Sequence, residues 1–154
     1  MTRQQHRYIA TEAMIGATIS AMLSVVFVLL MFGGHAPVPL AGPTGLIMDA
    51  LPQGFAIALM ATLVPTWLTR RRLARGTILP AAPARTTPPA PLLVRAIGMA
   101  ALGAALTTGL TALLLVGGID DLSLWPVLIG KTIWGFALGG TVAALMTRAA
   151  LARH

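Results

Sequence analysis

The chain is written in long apolar tracts separated by short polar ones. Four tracts carry almost no charge and run for about 20 residues, at positions 13–33, 50–69, 96–116 and 127–147. About 20 apolar residues is the length at which a helix crosses the hydrocarbon core of a bilayer. No segment of about ten residues alternates as a membrane barrel strand would. Inside lipid, backbone groups must then be satisfied within each segment, so the tracts are predicted to be helices. The expected fold is an all-α membrane protein with four transmembrane helices, arranged as two helical hairpins in a bundle. The first tract is too long for a typical signal-peptide core and no A-x-A-like site follows it cleanly, so it reads as a retained anchor.

The polar stretches fix a direction. Arg3 and Arg7 precede the first tract, six arginines from Arg70 to Arg95 lie between the second and third, and Arg148 and Arg153 follow the fourth. The other two connections, GGHAPVPLAGPTGLIMD and GGIDDLSLWP, contain no arginine. The positive-inside rule then places both termini and the middle loop in the cytoplasm. Asp49, Asp120 and Asp121 face outward, and Glu12 is the one acidic residue on the inner side. The inner loop includes GTILPAAPARTTPPAP at 76–91, in which five of sixteen residues are proline. It reads as an extended linker, dividing the chain into a first hairpin at 1–75, the linker, and a second hairpin at 92–154. A docking peptide for a proline-reading partner is the alternative.

A repeat underlies this arrangement. TRRRLAR at 69–75 and TRAALAR at 147–153 share five of seven positions at an offset of 78. Extended backward, that offset pairs Val64 with Val142 and Gln53 with Lys131. The first and third tracts align at an offset of 84, which pairs Leu29, Leu30, Gly33 and Gly34 with Leu113, Leu114, Gly117 and Gly118. A longer first outer loop absorbs the difference. Both hairpins enter from the same side, so the repeat is parallel, with its axis along the membrane normal. The first hairpin's ending, GFAIALMATLVPTWLTRRRL, resembles short bacterial two-helix membrane proteins of unknown function, which close with a proline and then a basic run. The second ending, WGFALGGTVAALMTRAAL, lacks the proline. The resemblance implies no activity and transfers no functional residue.

Small residues at helical spacing predict how the helices pack. Gly16, Ser20 and Ser24 mark the first span, Ala101, Ala105 and Gly109 the third, and Gly135, Gly139, Ala143 and Thr147 the fourth. Such stripes let backbones approach where lipid supplies no hydrophobic force between helices. The spacing does not say whether the partner helix is internal or belongs to another subunit. Pro65, inside the second span, is expected to kink it near the cytoplasmic end.

Composition adds exclusions. The apolar fraction is 56% and the charged fraction 10%, with a net charge of +7. The arginines flank apolar tracts instead of forming one basic face, which argues against nucleic acid. Arg70, Arg71, Arg72, Arg75, Arg148 and Arg153 are instead expected to touch anionic lipid heads. There is no cysteine, which removes thiolate chemistry and cysteine-based metal or haem attachment. The histidines, His6, His35 and His154, all lie outside the spans. Ser123, His35 and Asp120 can be drawn as a hydrolytic triad, but no G-x-S-x-G setting surrounds Ser123. No catalytic, metal or cofactor-binding residue is therefore assigned, and no cofactor is expected. Trp67 and Trp125 fall near opposite interfaces, and Trp134 needs no special role.

Ionisable residues inside a membrane are functional candidates by default. Lys131 is the clear case, about 7 Å below the start of the fourth span at 1.5 Å per residue. It could snorkel to the interface, pair with Asp49, Asp120 or Asp121, or join them and Gln53 in a polar ligand site. Glu12 and Arg95 fall at similar depth on the inner side and are expected to pair, tying the first span to the third. The leading expectation is a non-catalytic inner-membrane protein serving as an accessory, assembly or scaffolding subunit of a larger membrane complex. The alternative is a small oligomeric transporter or channel with a polar site near Lys131. Ten arginines against one lysine, with many Ala, Gly and Pro residues, suggest a bacterial source.

Overall fold

A computed structural model describes residues 2–34, 37–79 and 91–152. Most of the proline-rich linker, with Arg85, lies outside the described residues, as do His35, Arg153 and His154. The elements in chain order are α1 (Arg3–Phe32), β1 (Val38–Pro39), α2 (Leu46–Ala74), α3 (Leu92–Val116), β2 (Asp121–Leu122) and α4 (Leu124–Leu151). The protein is all-α, with four helices packed as a bundle. All four are long and apolar enough to cross a membrane. They run 25 to 30 residues, so each extends beyond the apolar tract that announced it. At 1.5 Å per residue that is about 37–45 Å.

Local signals explain the ends. Thr2 caps α1 in a capping box: its hydroxyl accepts the Gln5 amide at 3.3 Å and the Gln5 side chain accepts the Thr2 amide at 2.9 Å. This starts the helix ten residues before the apolar tract. Gly76 and Gly118 end α2 and α3 with φ of 69° and 82°, the left-handed conformation that glycine adopts freely. Each donates to the carbonyl three residues back, and the next residue donates to the one five back, as in Thr77 to Arg72 at 3.1 Å and Ile119 to Leu114 at 3.1 Å. These are Schellman closures, which satisfy the final carbonyls of a helix. α2 continues through both Pro52 and Pro65 to Ala74.

The packing crosses between the two halves of the chain. α1 lies antiparallel on α4, with Gly16, Ser20 and Ser24 meeting Ala143, Gly139 and Gly135 in turn. α2 lies antiparallel on α3, with Gly54 and Ala58 against Thr107 and Gly103. α2 and α4 run parallel to each other in the middle, where Ile57 and Ala61 pack with Leu138, Val142 and Met146. α1 touches α2 much less, and the consecutive α3 and α4 scarcely meet. The chain does fold up and down as two hairpins, but the principal partners are not hairpin neighbours. One stripe proposed from sequence is not used between these four helices. Ala101 and Ala105 are exposed, as is Gly109, and α3 instead buries Ala96, Ala100, Gly103, Ala104 and Thr107. The helix offers two adjacent stripes of small residues, and the one bearing Gly103 gives the closer approach to α2.

One end of the bundle is closed by a short ribbon. β1 and β2 pair antiparallel, Val38 with Leu122 and Pro39 with Asp121. Leu40 donates to the Asp120 carbonyl at 2.9 Å. Beneath the ribbon, Val28, Phe32, Val38, Leu40, Leu46 and Val127 form a second apolar core. The ribbon holds the α1–α2 and α3–α4 connections together, a link between halves that the hydropathy pattern does not show.

Candidate functional site

Asp49 stands in the first turn of α2 and Lys131 two turns into α4. Because α2 and α4 run parallel, the two side chains meet, and Lys131 Nζ forms an ion pair with Asp49 Oδ2. Their side chains are only 11% and 4% exposed. The negative charge also sits well in a helix first turn, where unpaired amides favour it. The ammonium lies 5.8 Å from the centre of the Phe32 ring, within cation–π reach. Asp120 and Asp121, the other proposed partners, are exposed in and beside β2 and do not pair with Lys131.

One turn below Asp49 lies Gln53, 2% exposed, whose carboxamide oxygen has no hydrogen-bond partner among the described residues. Lys131 and Gln53 both line a crevice of about 250 Å³ bounded by α2, α3 and α4. The crevice exists because α3 leans on α2 and leaves α4 almost untouched. Trp134 bridges the gap, its indole N–H donating to Thr107 Oγ1 at 3.0 Å. Thr107 in turn donates to the Gly103 carbonyl at 2.7 Å, and Thr111 to the Thr107 carbonyl at 2.9 Å. Trp134 and the two threonines are not conspicuous in the sequence. A tryptophan mid-span instead of at an interface was the available signal.

The opposite end carries a second cluster. Glu12, 2% exposed, accepts Arg72 Nη1 at 2.6 Å. The Arg72 guanidinium lies 5.2 Å from the centre of the Tyr8 ring, and the Tyr8 hydroxyl is 3.1 Å from Thr69 Oγ1. The expected Glu12–Arg95 pair is corrected: α1 and α3 flank the central α2–α4 pair on different sides, so Glu12 reaches α2. Arg95 donates to Met146 Sδ at 3.1 Å, on α4. Arg70, Arg71, Arg75 and Arg148 are exposed near these same helix ends, with Arg71 stacked 5.3 Å from the Trp67 ring centre.

Chemically, both clusters spend charge on joining helices. The Asp49–Lys131 pair ties α2 to α4, and Glu12–Arg72 ties α1 to α2. Removing one member of a buried pair leaves an uncompensated charge, which costs far more than the pair itself contributes. No known protein family matches the chain, and no curated protein or solved structure matches it significantly.

Proposed function

We propose that the protein is a non-catalytic, four-span protein of a bacterial-type inner membrane, acting as an accessory, assembly or scaffolding subunit of a larger membrane complex. The observation that carries this reading is the use of the buried charges. Asp49, Lys131 and Glu12 are each engaged in pairs that fasten one helix to another. The outward faces are apolar, as at Leu30, Met22, Leu113 and Ile133, and suit lipid or a neighbouring helix. The arginines of α1, α2 and α4 lie toward one end of the bundle, which supports cytoplasmic termini and contact with anionic lipid heads.

Duplication of a hairpin accounts for the architecture. α1 and α3 end 84 residues apart, at Phe32 and Val116, and α2 and α4 begin 78 apart, at Leu46 and Leu124. Val38 pairs with Leu122, its equivalent at the offset of 84. Exchanging the halves converts the α1–α4 packing into α3–α2 and leaves α2–α4 unchanged, as a twofold axis along the bundle requires.

Affinity purification of the tagged chain in a mild detergent tests the role. A stoichiometric membrane partner is expected; a chain that purifies alone from its native membrane sinks the accessory reading. The second reading, a small transporter or channel, is favoured by the crevice that Lys131 and Gln53 line. Solute flux into proteoliposomes, lost in Lys131→Ala, would support it, and absence of flux under varied gradients would count against it.

A further inference from the structure

The crevice between α3 and α4 has the make-up of a ligand site. Its volume of about 250 Å³ is close to the lower end of ligand pockets, roughly 300 Å³. Leu110, Leu114 and Ile57 make its walls apolar. Among its polar lining residues, Gln53 is buried to 2% exposure, and its carboxamide oxygen has no partner among the described residues. A buried polar atom in that state calls for an explanation. No neighbouring donor among the described residues lies within hydrogen-bonding distance of it. Lys131 is held by Asp49, the Trp134 N–H by Thr107, and the Thr107 and Thr111 hydroxyls by backbone carbonyls.

Three features define the missing partner. It must bring a hydrogen-bond donor. It must be neutral, because the site's one ammonium is already balanced by its one carboxylate. It must also be lipophilic, because Gln53 lies seven residues below the start of α2, about 10 Å down the helix. A hydroxyl meets the polar requirement whichever way the carboxamide is turned, since it both donates and accepts. A charged phospholipid head does not.

We propose that this crevice binds a neutral, hydroxyl-bearing lipophile of the membrane, such as a long-chain alcohol, with its hydroxyl on the Gln53 carboxamide and its chain between α3 and α4. This goes beyond the accessory role and stands independently of it.

The test uses the full chain in phosphatidylcholine nanodiscs with two photoreactive probes, diazirine-bearing hexadecanol and the matching hexadecane. The alcohol should label segments 107–114 and 126–134 saturably, and unlabelled hexadecanol should compete. Gln53→Leu should weaken alcohol binding about tenfold, the cost of one lost hydrogen bond in a dry site, and leave alkane labelling unchanged. Gly130→Leu provides a second arm. Gly130 lines the crevice, and a Cβ there meets nothing within 4 Å, so a side chain can be added to the lining without a clash at its Cβ. It should abolish the saturable component. Equal labelling by alcohol and alkane overturns the proposal, as does labelling that never saturates. So does wild-type alcohol binding in either folded variant; should Gln53→Leu fail to fold, Gly130→Leu alone decides.

Discussion

Replacing Lys131 with methionine leaves the Asp49 carboxylate at 4% side-chain exposure with its ion-pair partner removed. Breaking a buried pair in this way costs about 3–5 kcal/mol. That is a large part of the roughly 5–15 kcal/mol that holds a typical domain together. Asp49→Leu should cost a similar amount, because Lys131 at 11% exposure is then left buried without its partner. The double variant removes both charges and replaces them with side chains that suit the apolar surroundings, so it should lie within about 2 kcal/mol of the parent. The coupling energy is then at least about 4 kcal/mol, above the roughly 0.5–3 kcal/mol usual for residues in contact. Unfolding by SDS titration in mixed micelles, followed by tryptophan fluorescence, reads all four corners of the cycle. Additive single-variant losses, or single variants as stable as the parent, would refute the claim that this pair fastens α2 to α4.

The Glu12–Arg72 pair should behave asymmetrically. Arg72→Ala strands the buried Glu12 and should cost about 1–3 kcal/mol, whereas Glu12→Gln releases a guanidinium that is already 44% exposed and should cost under about 1 kcal/mol; the same titration separates them. Gly139→Val pushes a side chain into Ser20 and to within 3.1 Å of the Gly16 carbonyl, and overpacking of that kind costs about 1–3 kcal/mol. Cysteines at Ser24 and Gly135 should crosslink on mild oxidation, because a Cβ on Gly135 falls 3.2 Å from that of Ser24, near the disulfide range of about 3.5–4.5 Å. A Glu12→Cys, Arg95→Cys pair should not, and a gel-shift assay scores both.

Helix number and approximate position were legible because four apolar tracts of about 20 residues stand apart from the polar stretches around them. The meeting of Lys131 with Asp49 was among the options the sequence offered, since both sit near the outer ends of the second and fourth tracts. Which helices are neighbours was not legible. Helices that are apolar all round carry no amphipathic period to mark an inward face. Only small residues remain as a guide, and α3 carries two such stripes one residue apart. Choosing Ala101 and Ala105 over Ala100 and Ala104 turns the helix by about 100°. The partner of Glu12 then follows from helix neighbours, so that error has the same root. The crevice was nearly hidden for a related reason: it arises from the wide spacing of α3 and α4, and the mid-span Trp134 that bridges them was its one mark in the sequence.

The proposed role requires the chain to cross the membrane four times with its arginine-rich end inside. Single cysteines at Asp120 and Arg75, introduced into this cysteine-free chain and probed with a membrane-impermeant maleimide on intact cells, test that most directly. Both positions are exposed, at opposite ends of the bundle. Labelling at position 120 in intact cells, with labelling at position 75 only after permeabilisation, is the predicted result. Labelling of position 75 from outside, or of both positions alike, would contradict it.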